Sequence, residues 1–108
     1  MVKITMKKGD RLPVIEATIK KKDGTALDLT NATAKFIMVT AKDRTGKISA
    51  SATITDATGG KVKYEWAAND TNTAGDFLGE FEITYADGKK ITAPSEGYIE
   101  ILFYEELG

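Results

Sequence analysis

The stretch that decides the fold is NDTNTAGDFLGEFEITYADGKKITAPSEGYIEI, residues 69–101. Its central part alternates two sets of side chains. The first set is Phe77, Gly79, Phe81, Ile83 and Tyr85, and the second is Leu78, Glu80, Glu82 and Thr84. A period of two is typical of a strand with one face on a core and one in water. The sequence ADGKK, residues 86–90, follows as a turn, because Asp and Gly tolerate the positive φ of tight hairpins.

The same alternation recurs along the chain. It predicts strands at residues 2–6, 15–20, 34–39, 47–55, 61–66, 77–85 and 98–103. The turn sequences KDGT, DRTGK and ATGGK separate several of these runs. Seven or so short strands with turns between them indicate a β-sandwich or a barrel. Helical periodicity is absent apart from a single turn in AANDTNT, residues 67–73, which Asn69 or Asp70 would cap.

The corner at residues 70–77 favours the sandwich. A corner of small polar residues that leads into a long strand resembles the E–F corner of an immunoglobulin-like domain, where a Tyr hydroxyl often anchors the chain. The nearest residue here is Phe77, so we expect a purely hydrophobic anchor. Trp66 is the large buried group, and its indole N–H needs a partner. We predict one all-β domain over residues 1–108, an immunoglobulin-like antiparallel β-sandwich of about 7–8 strands.

Composition agrees with this fold. The chain has 108 residues, 42% hydrophobic and 29% charged, which is enough for one ordinary globular domain. There is no cysteine, so disulfides and thiolate metal sites are excluded, and a reducing compartment, or a particle assembled in one, fits.

The charge pattern argues against nucleic acid as a partner. The 15 basic and 16 acidic residues are interspersed and give a net charge of −1, whereas nucleic-acid binding usually needs a basic excess on one face. The run Lys20–Lys22 is interpreted as a solvated strand end that discourages aggregation. The N-terminal residues MVKITMKKGD lack the apolar segment of a signal peptide, and no apolar run approaches 18 residues. We therefore expect that the protein does not associate with a membrane and that it is synthesised in the cytoplasm.

A series of motifs in order carries a family resemblance. GDRLPVIEATIKKKDGTALDLTNATAKFIM, ATITDATGGKVKYEW, NDTNTAGDFLGEFEITYADGKK and APSEGYIEI follow one another between residues 9 and 101. The series resembles the immunoglobulin-like domain at the N-terminus of phage baseplate upper proteins, and small stand-alone phage virion proteins built on the same unit. The specific anchors are Gly9-Asp10, Asp28-Leu29-Thr30, Gly60-Lys61-Val62 with Tyr64 and Trp66, Ala74-Gly75 with Phe81, and Gly97-Tyr98-Ile99.

The resemblance implies a β-sandwich that serves as an attachment or scaffold module in a tail, baseplate or capsid. The sequence departs from the long family members in one respect. Only LFYEELG follows the matched region, whereas those proteins continue into a stalk and a distal region. A stand-alone domain bound to a virion surface therefore fits better than a bridge to a receptor-binding protein.

Candidates for catalysis are few, because the chain has no histidine and no cysteine. Glu80, Glu82 and Glu100 could form a cation site or a glycosidase pair, but a solvent-facing surface with lysine partners is the favoured interpretation. The segment NDTNTAGD, residues 69–76, lacks the spacing and the terminal Glu of a calcium loop. We predict no catalytic residues, no metal and no cofactor.

Carbohydrate binding is the alternative function from another class. It would need a platform of exposed aromatic side chains. Trp66 shares its face with Val62 and Tyr64, which favours burial, whereas Tyr85, Tyr98 and Tyr104 are less constrained. Exposed tyrosines also mark protein interfaces, so they do not distinguish a host surface glycan from a protein partner.

A protein interface is the function that the pattern favours. Ile99, Ile101 and Phe103 can fill the core, which leaves Tyr98, Leu102 and Tyr104 on the opposite face. Ile37 and Val39 likewise lie opposite Phe36 and Met38. A sandwich strand with two apolar faces has a second layer or a partner. The N-terminal strand VKITM could also pair with the edge of a neighbouring chain.

We therefore predict a non-enzymatic structural or adhesion module of a tailed phage virion, in the tail, baseplate or neck. The expected partners are other virion structural proteins, with a homo-oligomer as a further option. A capsid decoration protein is the alternative within the same class. The predicted contact residues are Tyr98, Leu102 and Tyr104, followed by Ile37 and Val39.

Overall fold

The computed structural model describes residues 3–94 and 97–107, which form eight β-strands and no helix. The strands are β1 (Lys3–Lys7), β2 (Ile15–Thr18), β3 (Ala32–Thr40), β4 (Gly46–Asp56), β5 (Lys61–Tyr64), β6 (Gly75–Tyr85), β7 (Lys90–Ala93) and β8 (Ile99–Tyr104). Val2 of the predicted first strand, and Ser95 and Glu96 of the APSEGYIEI motif, lie outside the described residues. The all-β immunoglobulin-like prediction is confirmed. Among the described residues, no helical segment has the length and apolarity to cross a membrane.

The strands form one curled ladder in the order β1-β8-β6-β3-β4-β5-β2, and β7 also pairs with β6. Strand β4 belongs to both layers, because its residues 46–52 pair with β3 and its residues 53–56 pair with β5. The larger sheet therefore contains β1, β8, β7, β6, β3 and the first part of β4. The smaller sheet contains the rest of β4 with β5 and β2.

Strand β6 organises the larger sheet. It pairs with β3 at residues 77–85, and its other edge pairs with β8 at residues 75–79 and with β7 at residues 81–84. All pairs between named strands are antiparallel except β1 with β8, which is parallel. The alternation in β6 therefore divides two environments: odd-numbered residues face the core and even-numbered residues face outward.

Aromatic side chains from both sheets fill the core. Phe36 stacks on Tyr64 at 4.8 Å between ring centroids and lies 5.2 Å from Phe81. Trp66 packs edge-on against Phe36 and Phe103. The Trp66 indole N–H donates to the backbone oxygen of Pro13 at 2.9 Å, which meets the requirement that the sequence raised. This closed aromatic cluster joins the two sheets.

The corner before β6 is held by polar groups, so the expectation of a purely hydrophobic anchor is wrong. Asp70 accepts hydrogen bonds from the Tyr64 hydroxyl at 2.5 Å and from the Ala67 N–H at 2.8 Å. The Thr71 hydroxyl donates to the backbone oxygen of Asp10 at 2.8 Å. Phe77 does lie in the core, but the hydroxyl that anchors the corner comes from β5, before the turn.

Burial raises the pKa of the Tyr64 hydroxyl, and its hydrogen bond to the Asp70 carboxylate raises that pKa further. A phenol that donates to a carboxylate is stabilised in its protonated form, and a nearby negative charge opposes ionisation. The corner is therefore pinned by a partly buried, charge-assisted hydrogen bond.

Candidate protein-binding face

The outer face of the larger sheet carries an apolar strip. The strand register places Val39 of β3 directly opposite Leu78 of β6, and Ile37 opposite Glu80. On the other side of β6, Leu78 is opposite Glu100, with Leu102 two residues further along β8. Direct neighbours across strands lie about 4.5–5.5 Å apart and diagonal neighbours about 7–8 Å apart. Leu78 is therefore the residue that connects the apolar groups of β3 with those of β8.

Two shallow clefts meet at this residue. One, of about 240 Å³, is lined by Ile37, Val39 and Tyr98 together with Leu78. The other, also of about 240 Å³, lies between Leu78, Leu102 and Ala41. We call the combined surface the Leu78 face and define it as Ile37, Val39, Arg44, Leu78, Tyr98 and Leu102. It lies on the side of the sheet that faces away from the core.

Arg44 reaches across this face from the turn between β3 and β4. Its guanidinium carbon lies 4.9 Å from the centroid of the Tyr98 ring, and its Nη1 donates to the Tyr98 hydroxyl at 3.2 Å. Arg44 has φ of 63°, a left-handed conformation that is uncommon for a side chain of this size. The arginine thus covers part of the apolar strip and presents its remaining N–H donors to solvent.

Side-chain hydrogen bonds hold that turn in shape. Asp43 accepts from the Thr45 N–H at 3.1 Å, from the Thr45 hydroxyl at 2.7 Å and from the Thr40 hydroxyl. These hydrogen bonds lower the pKa of the Asp43 carboxyl, and the one from the Thr40 hydroxyl has the largest effect. The Thr45 N–H also donates to the Thr40 hydroxyl oxygen at 3.0 Å. The turn therefore holds Arg44 at a defined position over the sheet.

Four of the five predicted contact residues come together on this surface: Ile37, Val39, Tyr98 and Leu102. Tyr104 lies on the same side of β8 but one step beyond Leu102, where it is 51% exposed with the Lys7 ammonium 6.0 Å from its ring centroid. Sequence reasoning missed Leu78 and Arg44. In the sequence, Leu78 is a single apolar residue in the outward-facing set of β6, which otherwise contains Glu80, Glu82 and Thr84.

The acidic residues that were considered for catalysis do not converge. The Glu82 carboxylate lies 3.6 Å from the Lys90 ammonium, and Glu80 is opposite Ile37. Glu100 lies between Leu78 and Lys3 in the sheet register. Across residues 3–94 and 97–107, no group of three or more acidic residues is placed to hold a metal ion.

Two residues of the calcium-loop candidate are engaged in other contacts. Asp70 accepts the hydrogen bonds that hold the corner, and Asn72 accepts a hydrogen bond from the Lys47 ammonium at 2.7 Å.

Trp66 is only 2% exposed, so it cannot form a sugar platform without unfolding the core. The Tyr85 hydroxyl donates to the backbone oxygen of Asp28 at 2.8 Å. The aromatic residues that remain on the outer surface are Tyr98 and Tyr104.

The family follows from a direct comparison of the sequence. Residues 2–95 match the model of the BppU N-terminal domain. The chain belongs to this family. BppU is the baseplate upper protein, so the family is a structural domain of phage baseplates, and membership implies a virion component. The resemblance recognised in the ordered motifs is thereby confirmed.

Solved structures extend the likeness in fold. CopC from Methylosinus trichosporium OB3b has a TM-score of 0.57 to this chain with 8% sequence identity, and the alignment covers 100% of this chain and 89% of that one. At this identity the likeness concerns the fold alone. Among functionally curated proteins, the sequence has no significant match.

Proposed function

We propose that this BppU-type domain is a non-catalytic attachment module that docks on another structural protein of the virion through the Leu78 face. One observation carries the proposal: an apolar strip with a stacked Arg–Tyr pair lies outside a core that is already complete. Phe36, Phe81 and Ile101 fill the inner side of the same strands. The outer apolar groups are thus not needed to close the sandwich.

The chemistry of the face fits a protein partner. Tyr and Arg are enriched in the energetically important positions of protein interfaces, where surrounding groups exclude water. Arg44 and Tyr98 supply both residue types, and Leu78 with Val39 supplies apolar surface between them. Charges of both signs border the strip, since Lys3 and Glu100 occupy paired positions beside it. A complementary protein surface can satisfy such a rim.

A capsid position is the alternative within this class, and a host surface glycan is the alternative partner. The family model favours the baseplate over the capsid. For a glycan, the outward-facing aromatic groups are Tyr98, which is half-buried beneath Arg44, and Tyr104, which is exposed and stands apart. These two tyrosines do not form a flat platform together, so docking on a protein is the stronger proposal.

Incorporation into particles tests the proposal. The gene is deleted from its phage, and the protein or a variant is supplied from a plasmid during growth. Purified particles are then assayed by quantitative mass spectrometry for this protein relative to the major capsid protein. We expect Leu78→Lys to reduce incorporation strongly, because loss of a central interface residue typically costs about 2 kcal/mol or more, about 30-fold in affinity. The lysine stem can still lie along the sheet, so the fold should survive.

Thr84→Lys is the matched control. Thr84 lies on the same strand and the same outer side, six residues or about 20 Å from Leu78, opposite Thr33 and Lys90. It should be incorporated normally. Arg44→Ala, in an exposed turn, gives a second test that leaves the core untouched and should also reduce incorporation. Normal incorporation of both Leu78→Lys and Arg44→Ala would refute docking through this face.

A further inference from the structure

The outer edge of β2 has free backbone groups. On its inner edge β2 pairs with β5, with Ala17 opposite Val62, and the register continues to Ile19, whose N–H donates to the Gly60 oxygen at 2.7 Å. In an antiparallel ladder, residues bonded to the partner alternate with residues whose N–H and C=O point the other way. Glu16 and Thr18 therefore direct their backbone groups away from β5. No strand formed by residues 3–94 or 97–107 pairs with that edge.

The topology explains why this edge is open. In an immunoglobulin sandwich, one sheet has the strand order A-B-E-D, so the first strand covers the edge of the second. Here the first strand, β1, pairs with β8 in the larger sheet instead. Within the described residues, the smaller sheet has only three strands and ends at β2. The position beside β2 is thus one where the fold accommodates a further strand.

An apolar groove runs beside the same edge. It has a volume of about 270 Å³ and lies between β2 and the strands of the larger sheet. Its apolar lining includes Ile4, Ile15, Ala17, Ile19, Pro94 and Ile99. Ligand pockets for drug-sized molecules are typically about 300–1,000 Å³, so this groove is small for such a ligand. It suits the few aliphatic side chains that alternate along one extended strand.

The charge next to the groove indicates what kind of segment would bind there. Lys20, Lys21 and Lys22 follow β2 after Ile19, and all three are exposed. In the described part of the chain, none of them lies within ion-pair distance of a carboxylate. In-register parallel pairing of two β2 strands would place lysines beside lysines, whereas antiparallel pairing centred on Thr18 would place Lys20 opposite Glu16. Glu16 is the one carboxylate in β2, so a second copy offers little acidic surface to the three lysines, and an acidic segment of another protein can offer more.

We propose that β2 accepts an extended segment of another protein as an added strand. Its backbone bonds to Glu16 and Thr18, its aliphatic side chains enter the groove at alternate positions, and its acidic residues lie beside Lys20–Lys22. Strand addition of this kind obtains affinity from main-chain hydrogen bonds and specificity from pockets for alternate side chains. This site is separate from the Leu78 face, and its test uses the domain alone.

Peptide binding provides the test. The probe is the synthetic peptide acetyl-DETVTVTIT-amide, whose acidic end meets the lysines when it lies antiparallel to β2. The control peptide has serine in place of its Val and Ile residues. Binding is followed by amide chemical shifts and by hydrogen exchange of the domain. We expect saturable binding of the probe with Kd below about 1 mM, slower exchange of the Glu16 and Thr18 amides, and at least tenfold weaker binding of the control.

Two variants at one position isolate the backbone contact. Thr18→Pro removes an N–H that points away from β5, so the ladder to β5 is kept while the added strand loses a donor. It should weaken binding at least tenfold, whereas Thr18→Ala, which retains the N–H, should bind within about twofold of the native domain. Absence of saturable binding at about 1 mM, or equal binding by Thr18→Pro, would overturn the proposal. So would a dimer of the domain alone that Thr18→Pro dissociates, because that result would assign the edge to a second copy.

Discussion

Gly79 is the position where the smallest change in the sequence should have a large effect. It faces the core between Phe77 and Phe81, in the middle of the strand that organises the larger sheet. A Cβ atom added there would lie 2.9 Å from Phe36 Cζ, 3.1 Å from Phe36 Cε1 and 3.0 Å from Ile101 Cδ1. The end of Ile101 can rotate, but the Phe36 ring is held between Tyr64 and Phe81.

The expected magnitude follows from that confinement. Adding a methyl group to a well-packed core typically costs about 1–3 kcal/mol. For a domain of this size that corresponds to a fall in Tm of roughly 5–15 °C. The measurement is thermal and urea unfolding of Gly79→Ala beside the native domain. Ile101→Val removes the Cδ1 atom, so the double variant should be more stable than the sum of the two single effects predicts.

Gly46→Ala is the control. Gly46 begins β4, and a Cβ there would have no atom within 4 Å. This change should leave the domain as stable as before or raise its stability by up to about 1 kcal/mol, because alanine restricts the unfolded chain. If Gly79→Ala and Gly46→Ala unfold at the same temperature, the close contact between β6 and Phe36 does not exist as described.

Three further predictions concern stability. The pKa of Tyr64 is raised in the folded state, so the unfolded chain releases this proton at lower pH than the folded chain. The contribution of Tyr64 to the free energy of unfolding should therefore be complete below about pH 10 and fall above it. Tyr64→Phe should reduce the slope of the free energy of unfolding against pH in the alkaline range. Trp66→Phe should lower the free energy of unfolding by about 1–3 kcal/mol in urea titrations, because the hydrogen bond to a backbone oxygen is lost and that acceptor is left without its partner. Hydrogen bonds from Thr side chains lower the pKa values of Asp23, Asp28 and Asp43. Their contribution to the free energy of unfolding should therefore be present above about pH 4 and be lost as the pH falls. Asp43→Ala should make the free energy of unfolding depend less on pH in the acid range.

The strand pattern was predictable because it is local. Period-two alternation identified the cores of seven strands, including the inward set of β6 and the burial of Trp66. Strand β7 was missed because it has four residues and directly follows the turn sequence ADGKK. The parallel pairing of β1 with β8 could not be predicted, since no local pattern specifies which distant strand becomes a neighbour.

The candidate face was predictable only in part for the same reason. Alternation correctly placed Ile37, Val39, Tyr98 and Leu102 on outward-facing positions, but it cannot show that β3 and β8 lie on opposite sides of β6. That arrangement makes Leu78 the centre of the strip and separates Tyr104 from it. Arg44 depends on the shape of a turn, and its contact with Tyr98 joins residues 54 positions apart in sequence.

The corner illustrates a different limit. The expected anchor position carries Phe77, and the residue that provides the hydroxyl, Tyr64, lies on a different strand. Alternation placed Tyr64 correctly in the core, but not the direction of its hydroxyl. Only the turn at residues 68–71, which brings Asp70 back over β5, determines that hydrogen bond.

A cryo-EM map of the intact particle, at a resolution that separates β-strands, tests the central claim most directly. The account predicts that the domain sits in the baseplate with Leu78, Tyr98 and Arg44 buried against a different virion protein. A domain whose outer β3-β6-β8 surface faces solvent, while another surface makes the contact, would contradict it.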